Sequence, residues 1–139
     1  MTIRLQRVQR GDEDIFGNIA PEVFDEPINP ERLRIYLADP NHLMILALDG
    51  ELVAGQCAAV IHHHPDKATE LYVDEVGVAT THLRQGIATA MVEAMFEWGR
   101  ERGCKEAWLG TELDNLEANG LYRKVGGKAE HMHYYEFKL

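Results

Sequence analysis

Asp74 and Glu75 stand side by side a few residues ahead of Leu83-Arg84-Gln85-Gly86-Ile87-Ala88-Thr89-Ala90, and these two segments hold the most chemistry in the chain. Gly86 and Ala88 are small enough to let a ligand approach the backbone closely. From Ile87 the apolar positions Ala90, Met91, Ala94, Met95 and Trp98 recur at three- and four-residue steps, so a helix opens at this turn. Its first amides have no intrahelical partners and lie at the positive end of the helix dipole, where a pyrophosphate binds. Arg84 and Gln85 add donors, Arg84 with charge. Adjacent strand side chains point to opposite faces, so only one of Asp74 and Glu75 ordinarily faces a substrate, unless a bulge re-aims them.

The elements that must position these groups follow from periodicity and turn chemistry. Ile3 to Val8 alternates apolar and polar residues and reads as a first strand, followed by turn residues at Gly11-Asp12. Two short helical stretches are expected between Asp12 and Pro40, the second with Asn29 as N-cap and Pro30 as its first residue. Pro21, Pro27 and Pro40 make this region irregular, and it reads as substrate-facing. His42 to Leu48 and Glu51 to Ile61 flank Asp49-Gly50, a dipeptide suited to a tight hairpin turn. Glu70 to Val78 is a fourth strand, which completes an antiparallel meander. The helix from Ile87 ends near Gly103; Cys104 to Gly110 follows as a strand and Asn115 to Val125 as a helix stopped by Gly126-Gly127. Lys128 to Leu139 alternates as a closing strand or hairpin does. This order predicts an α+β class with a mixed sheet in a single domain spanning residues 1–139.

Fourteen Lys and Arg against 23 Asp and Glu give a formal charge of −9. Nucleic-acid binders need a basic stripe, so that partner class is excluded, and the acidic balance favours a cationic small substrate. The longest apolar run, Leu43 to Leu48, is far short of the roughly 20 residues that cross a bilayer. The N-terminus lacks a secretion signal, so a cytoplasmic location without a membrane partner is expected. Cys57 and Cys104 lie far apart in predicted strands and read as buried reduced thiols.

The turn at Gly86 resembles motif A of the GNAT family of N-acetyltransferases, a Q/R-x-x-G-x-G/A loop that wraps the pyrophosphate of CoA. A second match lies where that family places it: Asn115-Leu116-Glu117-Ala118-Asn119-Gly120-Leu121-Tyr122-Arg123-Lys124-Val125-Gly126 is similar to its N-x-x-A-x-x-L-Y-x-x-x-G-F signature. Arg84 to Ala90, Leu121-Tyr122 and Met132-His133 look most like the aminoglycoside 3-N-acetyltransferase branch. The likeness spans Glu70 to Leu139. Two positions depart from the pattern. Leu83 stands where the loop has Gln or Arg, leaving Arg84 as the charged donor nearby, and Gly127 replaces the aromatic, giving the acceptor pocket a different wall.

The resemblance implies a mostly antiparallel twisted sheet of six to seven strands flanked by about four helices. It implies acetyl-CoA as cosubstrate and transfer of its acetyl group to a primary amine of a small molecule, aminoglycoside-like, polyamine or other, by direct attack in a ternary complex. An ammonium with a pKa of about 10 must first lose a proton, and the resemblance assigns that proton to Glu75, or to Asp74 close behind, directly or through water. Tyr122 matches the family's general acid for the departing thiolate; periodicity alone makes it a core aromatic. The backbone of Val76 is implied to polarise the thioester carbonyl, and that of Val78 to pair with pantetheine. Further CoA contacts are implied at Gly77, Arg84, Gln85, Gly86, Ile87, Ala88, Thr89, Asn115, Ala118 and Tyr122, with an N-cap role for Asn115 as the bland reading. Family habit also implies a homodimer, which no apolar stripe in the sequence encodes.

His62-His63-His64 and the pair His131 and His133 are residue types that ligate metals, but a solvated loop and a strand face are the simpler readings, and no metal is expected. Either cluster could instead touch the acceptor. The alternative from another class is a non-catalytic acyl-CoA-binding sensor or regulatory module.

Overall fold

The computed structural model describes residues 2–139. Strands β1 (Ile3–Arg7), β2 (His42–Asp49), β3 (Leu52–His62), β4 (Glu70–Val78) and β5 (Glu106–Trp108) form one sheet in the order β1-β2-β3-β4-β5. The first four pair antiparallel, and β5 joins β4 in parallel, so the sheet is mixed. Helix α1 (Pro30–Ala38) opens as expected at Asn29, whose side chain accepts from the Arg32 amide at 2.9 Å. Helices α2 (Ile87–Glu101) and α3 (Leu116–Lys124) complete the set, and short 3-10 turns occupy Glu13–Gly17 and Thr80–His82.

The sheet separates two apolar layers. Ile45, Ala47, Cys57, Ala59, Leu71 and Val73 turn one face towards Met91, Val92, Met95 and Trp98 of α2. On the opposite face Met44, Leu46, Leu48, Val53 and Ala58 pack with Phe16, Ala20 and Val23 and with the inner side of α1. Because β2 and β3 are covered on both faces, they are apolar almost throughout instead of alternating.

Three expectations need correction. Among the described residues strands number five rather than six to seven, and α-helices three rather than about four; the first helical stretch expected after Asp12 is only the Glu13–Gly17 turn. The tail from Lys128 to Leu139 forms no strand among the described residues, and Met132, Tyr134, Tyr135 and Phe137 are exposed. Its alternation is real, but neither edge of the sheet, β1 or β5, pairs with it, and β5 at three residues offers little ladder to extend. The hairpin pairs Asp49 with Leu52, so the loop is Gly50-Glu51, one residue later than expected. Only Gly50, at φ +61°, takes a left-handed backbone there, which is the arrangement of turns with glycine first. Asp49 is thereby the last residue of β2, and its carboxylate is free for another partner.

Candidate active site

The parallel pairing of β4 with β5 covers only Glu70–Tyr72 against Glu106–Trp108, and Tyr72 stacks on Trp108 with ring centroids 4.2 Å apart. Beyond that stack the two chains diverge. Val73 to Gly77 on one side and Leu109 to Thr111 on the other border a cleft of about 290 Å³, closed by Asn115, Ala118 and Tyr122 of the α3 region and by Glu22, Val23 and Asp25. A sheet that splits between parallel strands leaves backbone polar groups facing the gap, ready for a ligand to pair with.

The register of β3 against β4 jumps between Ala58 and Ala59: Ala58 pairs with Glu75 and Ala59 with Val73, so Asp74 has no partner. This is the bulge that the adjacent carboxylates required, and both Asp74 and Glu75 line the cleft. Burial raises the Glu75 carboxyl pKa, with Asp25 and Asp74 adding to the effect and the Gln56 amide opposing it. Burial also raises Asp74, against its own backbone amide and His42. Asp74 keeps the larger exposed surface and Glu75 is half-buried, yet desolvation is the first cause of the raised pKa at both. Burial, then Cys57, raises the Tyr122 phenol, which keeps it protonated and a donor across the neutral range. Cys57 is wholly buried, and desolvation followed by Asp74 lifts its thiol to about 12, so it is no nucleophile.

Val76, Gly77, Asn115 and Ala118 also line the cleft. The Asn115 side chain accepts from the Ala118 amide at 3.1 Å, so it does serve as the α3 N-cap while sitting at the cleft. Val78 and the segment from Arg84 to Thr89 lie outside the cavity, at the end of β4 and the start of α2. Arg84 and Gly86 both have left-handed backbone, at φ +62° and +76°, and no side chain caps the first turn of α2. Left-handed residues close together in a loop turn amides inward as an anion cradle, and a Cβ built on Gly86 meets nothing within 4 Å. Ile87 is buried among the core residues facing the sheet, so only its amide, not its side chain, is available to a ligand.

The loop before α2 is anchored from the hairpin. His82 is buried; its Nε2 lies 2.9 Å from Asp49 Oδ2 and its Nδ1 2.7 Å from Thr81 Oγ1. The histidines singled out by type lie elsewhere. His64 Nε2 is 2.5 Å from Glu70 Oε1, His63 Nδ1 is 3.3 Å from Thr69 Oγ1, and the exposed His131 and His133 ride on the tail. None of them lines the cleft.

Sequence reasoning missed three residues. Glu22 and Asp25 belong to the segment read as substrate-facing, and their acidity was the available signal. Gln56, wholly buried, is the one polar side chain in the run from Leu52 to Ile61, a position at odds with its surroundings.

Residues 11–127 match the profile of the Acetyltransferase (GNAT) family. Aminoglycoside N(6')-acetyltransferase type 1 of Serratia marcescens is 27% identical over 99 residues, which cover 68% of this chain and 68% of that protein. An aminoglycoside acetyltransferase from an uncultured soil metagenomic sample superposes with a TM-score of 0.83 at 19% identity, covering 99% of this chain and 96% of that one. The aminoglycoside N-acetyltransferase AAC(6')-Iy, solved in complex with CoA, superposes at 0.79 with 16% identity, again over 99% of this chain and 96% of that one. No helix among the described residues is long and apolar enough to cross a membrane. A split mixed sheet with a glycine turn feeding α2, together with a profile match over most of the length, has one consequence: this chain belongs to the GNAT family of acetyltransferases.

Proposed function

We propose that this enzyme transfers the acetyl group of acetyl-CoA to a primary amine of a small molecule that carries more than one ammonium group. The observation that carries this reading is the set of four carboxylates, Glu22, Asp25, Asp74 and Glu75, around one cleft. Asp74 and Glu75 are both held above their usual pKa by burial, Glu75 further by the charges of Asp25 and Asp74, a state that a cationic guest relieves. The motif likeness was to the 3-N branch, whereas the Serratia relative is named for the 6' position, so the ring position is not part of the proposal. Aminoglycosides and polyamines both fit the charge pattern.

Acetyl-CoA supplies an activated acyl group, and the chain's own residues supply the rest. The amides of Ile87 and Ala88, with Arg84 and Gln85, hold the diphosphate, while the open edge of β4 at Val76 and Val78 takes the pantetheine arm. Glu75 receives the ammonium proton, directly or through one water, so that the free amine attacks the thioester carbonyl. The Val76 amide steadies the charge that develops on the carbonyl oxygen. Tyr122 gives its proton to the leaving thiolate, whose conjugate acid has a pKa near the roughly 8.5 of a free thiol, and the second proton shed by the attacking nitrogen restores the phenol. A homodimer remains part of the proposal on family grounds alone.

The test is thiol release from acetyl-CoA across a panel of mono-, di- and polyamines. Polyamines and aminoglycosides are expected to exceed monoamines of similar length by about tenfold or more in kcat/KM, the worth of one extra charge contact. Transfer that is indifferent to the number of charges would refute the acceptor class. Tight CoA binding without transfer to any amine would instead support the sensor module.

A further inference from the structure

We propose that Gln56 is a positioning residue that aims the Glu75 carboxylate into the cleft and ties the Val23 wall to the sheet. This rests on the reading of Glu75 as the proton acceptor.

Gln56 pairs with Gly77 across the β3–β4 ladder and Ala58 pairs with Glu75. Paired residues share a face and the same face recurs every second residue, so Gln56 and Glu75 are diagonal neighbours on one side of the sheet. Nothing bulky separates them, because the other two corners of that quartet are Gly77, with no side chain, and Ala58, with a methyl. A Cβ on Gly77 would lie 2.4 Å from the Val23 carbonyl oxygen, so the backbone of the cleft wall rests directly on this glycine. That same carbonyl accepts from Gln56 Nε2 at 3.3 Å.

The Val23 carbonyl accepts one of the two Gln56 amide hydrogens, which fixes the orientation of the amide group and leaves the second for the Glu75 carboxylate on the same face of the sheet. Its Oε1 is left buried without a donor among the described residues. An orphaned acceptor at the centre of an apolar sheet is destabilising, and natural cores avoid it. The NH2 end is held at the Val23 wall on the face of the sheet that also carries Glu75, and the proposal gives its second hydrogen to that carboxylate.

The charged and titratable groups around Glu75 come from several elements: Glu22 and Asp25 from the wall segment, Asp74 from its own strand, Tyr36 from α1, Tyr122 from α3, and, through Asp74, His42 from β2 and Cys57 from β3. Of these, Asp25 and Asp74 resist ionisation of Glu75. The Gln56 amide is the neighbour in β3 that favours it.

The test is Gln56→Met, of similar length but without donors, read in two ways. The Glu75 carboxyl is titrated by carbon NMR, its signal assigned with Glu75→Gln, and the pH profile of kcat/KM is recorded in parallel. Loss of a hydrogen bond to a carboxylate raises its pKa, so both the titration and the acid limb are expected to move up by roughly one pH unit. The KM for the amine is expected to rise with the loosened wall. If Gln56→Met does not fold, Gln56→Asn, which keeps the amide but cannot span both acceptors, is expected to move the titration in the same direction. An unmoved carboxyl titration in a folded variant overturns the inference. A titration that moves while the acid limb stays where it was upholds the hold on Glu75 and rejects Glu75 as the base instead.

Discussion

Glu75→Gln is expected to lower kcat/KM by about 10²- to 10⁴-fold, the range that a positioned proton acceptor supplies, while leaving CoA affinity unchanged. The distinction follows from geometry: Glu75 lines the cleft beside Tyr122, whereas the glycine turn before α2 lies outside that cavity. The same substitution is expected to raise the melting temperature at neutral pH. Burial lifts the Glu75 carboxyl above its value in the unfolded chain. Whatever stability this group contributes is therefore fully present below the unfolded pKa and is lost as pH rises through the folded one, so at pH 7 its charge opposes folding. A neutral amide removes that opposition. Asp74→Asn, at the more solvated position, is expected to cost less activity; a larger loss there than at Glu75 would transfer the base to Asp74. Steady-state kinetics and thermal melts on the two variants decide it.

Gly86→Val is the second change with a large effect. Gly86 sits at φ +76° with open space above it, so the cost comes from backbone conformation and not from a clash. A β-branched residue is strongly disfavoured there, by roughly 1–2 kcal/mol or more. Valine therefore pushes the turn towards another conformation and re-aims the first amides of α2. Losing one or two charge-assisted hydrogen bonds corresponds to a drop in CoA affinity of roughly 10²-fold, measurable by calorimetry. Gly86→Asn, which tolerates left-handed backbone, is expected to keep most of the affinity.

Features encoded within a short stretch of chain were legible in the sequence. The helix at Ile87 announced itself by three- and four-residue spacing, and six of its residues, among them Met91, Met95 and Trp98, are buried. Asn29 and Asn115 cap α1 and α3 as their positions before the helical runs implied. Features that depend on a distant partner were not legible. The bulge at Asp74 exists because β3 and β4 pair with unequal counts, a property of two strands together. Gln56 reaches Val23 across 33 positions, and no local pattern links them. The tail fails for the same reason in reverse: alternation from Lys128 onward signals a strand, but a strand needs an edge of matching length, and β5 supplies only three residues. In the hairpin, Asp49 was read as a loop residue because Asp-Gly is a strong turn signal. Its place in β2 leaves the carboxylate to hold His82, an anchor 33 residues away that a local reading cannot see.

The account depends most on where CoA binds. Titrating isotope-labelled protein with CoA and following its backbone amides places the ligand directly. The largest shifts are expected at Arg84, Gly86, Ile87 and Ala88, with a second set at Val76 and Val78. Saturation without movement of the amides before α2, or no saturation by a folded protein, would contradict the assignment of that turn as the diphosphate site.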